Sequence, residues 1–421
     1  MNRNELHHAI NTAYSPELGY GIEKGRPGKY KHVYFVVPPS IADMIKLGNY
    51  GDYVRLAAAL TKGHRAMNAL RPIDEMDTVD KLMSRLLARS EALASSRMEG
   101  TFSTIQEVLN PSALIDASPE TKSVVGYAHA LETIFDRVSR QKHEAVDQKL
   151  FSDIHIEIAK HDKSFSGSPG EFRSQDSYVW IGGFRIEDSI YNPAPPQHVS
   201  WLMENCTSWI SDRDVQEEGD AGITPRLTLP IRMAIAHAHF EAIHPFSDGN
   251  GRVGRCIWPI QMILSGYSPL YLSGYIEAEK TRYMAGLEAF QKQLDLLPMV
   301  EFICDAMQDS LRETLVSRKA LSEISARWKA KAAPRKNSAA ERLLEHLVGQ
   351  PIITVKDVMS MLSISEPAAW RAVQQLEKAE ILEETTGQQR DRRYSAFDVL
   401  SILGRPFGSL VDEAIRTRNR T

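Results

Sequence analysis

Within the twelve residues His244-Pro245-Phe246-Ser247-Asp248-Gly249-Asn250-Gly251-Arg252-Val253-Gly254-Arg255 stand a histidine, a carboxylate, an amide, three glycines and two arginines. Glycines lack Cβ and let backbone N–H groups converge where a helix begins, and the orphan donors there favour an anion. Phosphate is the natural occupant. Asp248 offers the oxygen that a divalent cation beside phosphates requires, and Arg252 and Arg255 can fork onto phosphate oxygens. His244 precedes the nest by a few residues, where it can take a proton from an incoming hydroxyl. A plain Gly/Asn turn with a solvated arginine pair would need no such fixed set of types and spacings.

The run resembles the HPFx[D/E]GNGRxxR signature of Fic-domain proteins, with every fixed position matched. Most members transfer AMP from ATP to a Ser, Thr or Tyr hydroxyl of a protein, so the resemblance implies an adenylyltransferase that uses ATP and Mg²⁺ and modifies target proteins, itself included. It makes His244 the general base and Asp248 the Mg²⁺ ligand. Asn250, with the backbone of Gly249 and Gly251, becomes the cradle of the transferred phosphate, and Arg252 and Arg255 serve the outer phosphates. Upstream, Ser95-Ser96-Arg97-Met98-Glu99-Gly100 matches the family's inhibitory pattern [S/T]xxxE[G/N], in which a helix presents its glutamate to the second signature arginine. A glutamate opposes the dipole at a helix C-terminus and so calls for another partner; the resemblance supplies Arg255. Two other classes stay open: a hydrolase running the site backwards with Glu99 activating water, and a DNA-binding regulator whose core senses nucleotide.

The elements that must position these residues read as mostly helical. The expected fold is mainly α, a Fic-type helical core with a small β-hairpin flap followed by a C-terminal winged helix-turn-helix. Residues 1–110 form an N-terminal helical region carrying the inhibitory motif, 111–316 the catalytic core, 317–337 a basic linker and 338–421 the winged-helix-like domain and tail. The first thirty residues are polar and read as an extended arm, and Val33–Val37 as a short strand. A helix capped by Asp80 or Thr78 runs to Gly100. Further helices follow near 120–140, 146–160 and 196–211, and Pro230 opens the one before the signature. Tyr178–Gly183, aromatic and β-branched and bounded by glycines, reads as one strand of the flap hairpin. Tyr271, Tyr275 and Tyr283 serve either as core or as the lining of a nucleotide base. His237 and His239, two apart on a helix, point to different faces and make poor co-ligands for a metal.

The whole chain sets the bounds. Its 421 residues, 43% hydrophobic and 25% charged, suit two or three soluble domains. A net charge of −4 gives no general attraction to nucleic acid or anionic membrane. The three cysteines, far apart, fit a reducing, cytoplasmic setting, and no apolar run reaches spanning length. In the tail, the helix, helix, helix and hairpin order of residues 338–403 suggests a winged helix-turn-helix. Yet seven Lys or Arg stand there against ten Asp or Glu, and an acidic reader is handicapped on DNA. Protein docking or homodimer contact is therefore favoured over DNA binding.

Overall fold

The computed structural model describes residues 3–14, 34–47, 52–110, 115, 117–160, 165, 167–174, 177–184, 186–211, 227–387 and 391–418. The chain divides into two compact units, Met1–Glu75 with His129–Leu272 and Ile276–Asp309, and Met76–Ala128 with Ser273–Tyr275 and Ser310–Thr421. The boundary expected at 316 falls inside the helix Leu297–Ala332.

The first unit is built around the helix Leu229–Ile243, in which every residue except Arg232 is buried. A helix apolar on all sides has to be surrounded, and the helices Pro196–Ile210, Ile257–Leu264, Lys280–Gln293 and Tyr53–Ala69 pack against it. Gly63 allows the last of these to approach closely: a Cβ there would lie 3.0 Å from both Cys304 Sγ and Pro230 Cγ. Strand β2 (Tyr34–Val37) lies where the sequence pattern puts it, but the arm expected to be loose supplies its partner, β1 (Asn11–Tyr14), paired antiparallel with Asn11 opposite Val37. Buried Phe35, Val36 and Val37 take their backbone polar groups out of water, so a ladder partner is needed.

The flap differs from expectation. Among the described residues, the flap holds one antiparallel bridge in place of a hairpin ladder, Ile181 to Tyr191, closed by Ile181 N–H donating to Tyr191 O at 2.8 Å and Ile190 N–H to Ile181 O at 2.8 Å. Two successive left-handed glycines, Gly182 (φ 71°) and Gly183 (φ 74°), turn the chain before a second pair can form. A Cβ on Gly183 would sit 2.4 Å from Asp188 O, so the turn is too tight for any other residue.

In the second unit, the helix Thr78–Met98 is capped by Asp77, not by Asp80 or Thr78; Asp80 completes the capping box from the third helical position. It ends in a Schellman motif: Gly100 N–H donates to Arg97 O at 3.1 Å, Thr101 N–H to Ser96 O at 3.0 Å, and Gly100 takes φ 80°. C-terminal elements grip this helix. Ser90 Oγ donates to Leu403 O at 2.9 Å, Arg318 pairs with Asp80 at 2.7 Å, and Gly349 lies against Leu82. The stretch expected as a basic linker, 317–337, is instead helical as far as Ala332, within the helix Leu297–Ala332. Ala320, Leu321, Ile324 and Trp328 form its buried stripe and the basic residues its wet face. The break comes at Ala333–Asn337, where Ala333 and Asn337 take positive φ around Pro334.

Beyond it lie the helices Ala339–Leu347, Val355–Leu362 and Glu366–Lys378 and the strands β3 (Ile352–Thr354), β4 (Glu383–Glu384) and β5 (Arg393–Ser395), in the antiparallel order β3-β5-β4. Thr354 caps its helix in a box with Asp357, and Gly387 turns between β4 and β5 at φ 61°. Among the described residues, no helix is long and apolar enough to cross a membrane.

The second unit also holds a buried carboxylate, Glu91. Glu91 accepts from Ser273 N–H at 2.8 Å and from Ser273 Oγ at 2.5 Å. Glu91→Ala orphans both donors and is expected to cost about 1–3 kcal/mol, read as a lower denaturant midpoint, whereas Glu91→Gln keeps an acceptor and costs less.

Candidate active site

The site begins where the central helix stops. His244 is its C-cap and sits in the left-handed region at φ 52° and ψ 63°, its N–H donating to Phe240 O at 2.8 Å. A residue with a Cβ pays about 1–2 kcal/mol for that conformation, so the surroundings must impose it. Arg173 does. Its Nε donates to His244 O at 2.8 Å, its Nη2 to Ala194 O at 2.7 Å and Ile243 O at 3.0 Å, and its Nη1 to Ser177 O at 3.1 Å. Its own N–H donates to Pro245 O at 2.8 Å. A guanidinium at a helix C-terminus meets both the unfilled carbonyls and the negative end of the dipole. Burial lowers its pKa to about 10, which leaves it charged at neutral pH.

The turn that follows is closed by one side chain. Asn250 Oδ1 accepts from Phe246 N–H at 2.8 Å and Asn250 Nδ2 donates to Phe246 O at 2.8 Å. Gly249, at φ 73°, then starts the short helix Asn250–Arg255, whose first intrahelical bond is Val253 N–H to Gly249 O at 3.2 Å. The amides of Asn250 and Gly251 precede that bond, at the helix N-terminus, where backbone donors point toward an incoming anion. Asp248 is half-buried, with Oδ1 accepting from Gly249 N–H at 2.6 Å.

His155 braces this turn from the helix Gln148–Ala159. Its Nδ1 accepts from Gly170 N–H at 2.7 Å, which leaves Nε2 as the donor to Asp248 O at 3.1 Å. The ring stacks on Phe246 at 3.8 Å and 9°. Burial lowers its pKa to about 4, so it braces the turn as a neutral ring.

Arg252 and Arg255 are both buried, in different surroundings. The charge of Arg252 acts on His155, that of Arg255 on Glu241 and His237. Glu241 is 5% exposed, and its Oε2 lies 3.5 Å from His244 Nδ1. Burial pushes Glu241 upward, but His244, His237 and Arg255 outweigh it and hold the carboxyl below its ordinary range. His237 is held between Gly254 O at 3.0 Å and Tyr283 Oη at 2.7 Å, while His239 faces Pro39 O at 3.1 Å. The two histidines point to different partners, as their spacing requires.

Residues 145–260 match the family model described as Fic/DOC family, and residues 57–136 the model described as Fic/DOC family N-terminal. The chain carries a Fic domain. Among curated proteins it is 29% identical over 171 residues to a protein adenylyltransferase Fic of Aedes aegypti, a match covering 40% of this chain and 29% of that protein. It is 24% identical over 227 residues to protein adenylyltransferase fic-1 of Caenorhabditis elegans, covering 53% and 40%. The matched stretch thus spans less than half the length of either relative. A solved Fic family protein from Desulfovibrio desulfuricans G20 aligns with TM-score 0.48 at 19% identity, over 82% of this chain and 97% of that one.

Of the residues expected in the Fic site, His244, Asp248, Gly249, Asn250, Gly251, Arg252 and Arg255 lie together in the turn just described. The side-chain amide of Asn250 is spent on closing the turn, through its two bonds to Phe246. Ser95, Glu99 and Gly100 belong to the second unit: Ser95 is buried, Glu99 is the C-cap of its helix and Gly100 the left-handed residue after it. Tyr283 bonds His237 in the core, and Tyr275 stacks edge-on against Phe407 at 5.8 Å, so neither ring is committed to a nucleotide. Sequence reading missed Arg173, His155 and Glu241. Only Glu241 left a trace, lying three residues before His244 on one helix face.

Arg173→Ala strips four carbonyls of their donor and is expected to destabilise the chain by at least about 3 kcal/mol. Arg173→Lys retains the charge without the fork and should recover only part of this. Melting followed by circular dichroism reads both.

Proposed function

We propose that this chain is a protein adenylyltransferase that moves AMP from ATP to a hydroxyl of a target protein, itself included. The observation that carries the reading is the fixed turn itself: a histidine pinned in a strained conformation at its mouth, a half-buried carboxylate within it, and two buried arginines behind. The adenylyltransferase names of the relatives agree with it.

In this reading His244 Nε2 accepts the proton as the hydroxyl oxygen attacks the α-phosphorus, the bond to the β-phosphate oxygen breaks, and pyrophosphate leaves. Positioning and charge neutralisation carry most such reactions. The amides of Gly251 and its neighbours hold the transferred phosphate, with Asn250 fixing their geometry, and Arg252 and Arg255 take the outer phosphates.

Among the described residues, no group of three or more His, Cys, Asp or Glu could hold a metal ion. One carboxylate fits Mg²⁺ all the same, because that ion is usually held by one or two carboxylates together with phosphate oxygens and water. Asp248 would hold it, and the ion would neutralise phosphate charge.

The exposed apolar residues of the flap, Phe184 at 96% and Ile190 at 52%, suit contact with a target segment. Glu99 serves as the brake by its match to the inhibitory pattern. The C-terminal helices and strands form a winged helix-turn-helix used for protein docking, in keeping with their acidic balance. The free, buried Cys206, Cys256 and Cys304 suit work in a reducing cytoplasm.

Labelled-AMP incorporation tests the reading. His244→Ala is expected to lose about 10²- to 10⁴-fold in rate while still binding ATP in calorimetry; near-normal incorporation would refute the assignment. Glu99→Gly is expected to raise incorporation, because the inhibitory pattern makes this carboxylate the group that misplaces the phosphates, and misplacement on the order of 1 Å costs about 10²-fold. Arg255→Ala is expected not to activate, because the phosphates need that arginine. Equal or lower incorporation by Glu99→Gly would return Glu99 to an ordinary helix end.

A further inference from the structure

The signature leaves two positions open between its arginines, and the structure explains one of them. At Gly254 a Cβ would stand 2.4 Å from Glu241 Oε1 and 3.1 Å from Phe240 Cδ1. Its φ is not in the positive range that favours glycine, so the residue is demanded by space rather than by conformation. What fills the space is a carboxylate pressed onto the short helix of the active-site turn.

Glu241 lies inside the protein, on the central helix. A buried carboxylate without compensation is expensive. This one has three cationic or protonatable neighbours: His244 three residues on, His237 one turn back and Arg255 from the signature helix. Of these, His237 has both ring nitrogens engaged, with Gly254 O and Tyr283 Oη. His244 differs. Its Nδ1 is buried and makes no hydrogen bond with another group, and Glu241 Oε2 faces it at 3.5 Å. That is an ion-pair distance, longer than a good hydrogen bond, and catalytic contacts of this kind commonly tighten when substrate is engaged.

We propose that Glu241 is the positioning carboxylate of the base: by accepting from Nδ1–H it fixes His244 in the tautomer whose Nε2 lone pair meets the target hydroxyl, and it supports the imidazolium formed on proton transfer. This rests on His244 being the base. The logic is that of a nucleophile–base–acid relay, in which the acid never takes the proton but decides which ring nitrogen carries it. The proton moves from the hydroxyl to Nε2, Nδ1 keeps its own, and Glu241 stays ionised throughout. His244, His237 and Arg255 together hold the carboxyl below its ordinary range, which ties a phosphate-binding arginine to the base through one buried group.

The test separates the tautomer from the activity. Full-length protein with ¹⁵N-labelled histidine is compared as wild type, Glu241→Gln and Gly254→Ala, with the His244 resonances assigned by their loss in His244→Ala. The second variant displaces the carboxylate by space alone and leaves it charged. Wild type is expected to show His244 with the proton on Nδ1, and both variants to shift the ring toward the Nε2–H form. AMP transfer by Glu241→Gln should fall about 10²- to 10⁴-fold in kcat, with KM for ATP changed less than about threefold.

A His244 ring that keeps its proton on Nδ1 in both variants overturns the proposal. So does a Glu241→Gln loss that appears in KM alone. An active His244→Ala would instead remove the base assignment, and the tautomer measurement would still say whether Glu241 fixes the ring.

Discussion

The guanidinium of Arg173 is the interaction on which the rest of the site depends. It donates to the carbonyls of Ile243 and His244 at the end of the central helix and to those of Ala194 and Ser177, which belong to two other segments. One planar group thereby fixes where the helix stops, how His244 leaves it and where the two arms of the flap begin. Arginine alone supplies that many donors in a rigid plane. Its burial is tolerable because carbonyl dipoles, including those at the helix end, surround it with negative potential.

From that clamp the turn follows almost without freedom. His244 is held left-handed, Asn250 ties both polar groups of its amide to Phe246, Gly249 takes the conformation only glycine adopts without strain, and His155 braces the far side. Strain at such a site persists only when several contacts over-determine it, and here they come from three separate elements. For the proposed reaction the benefit is preorganisation: amides, carboxylate and imidazole are arranged in advance, so little reorganisation would accompany transfer.

The second unit shows a different use of the same principles. The helix ending at Glu99 is not an appendage, since Asp80, Ser90 and Glu91 along its length are all engaged by later parts of the chain. Its position is therefore set by C-terminal packing as much as by its own caps. A long amphipathic helix connects these parts, and its apolar stripe, ending in Trp328 bonded to Asp398 at 2.9 Å, explains why a basic stretch is ordered rather than loose.

The sequence by itself determined the helical character, the opening of the central helix at Pro230, the order of the C-terminal helices, the Gly100 stop and the membership of the turn. Each of these rests on local chemistry: periodicity, caps, proline, and glycine where positive φ is required. What only the tertiary structure decided involves partners far apart in the chain. Arg173 reaches carbonyls about seventy residues on, His155 reaches Asp248 across 93 positions, and β1 pairs with β2 across a stretch with no hairpin signal. The flap and the basic stretch went the other way, because paired glycines and a buried stripe overrode the β-propensity and charge pattern that a local reading weighs. Spacing can show that residues are able to meet, but a buried carboxylate against Gly254 and His244 exists only once the helices that enclose it have packed.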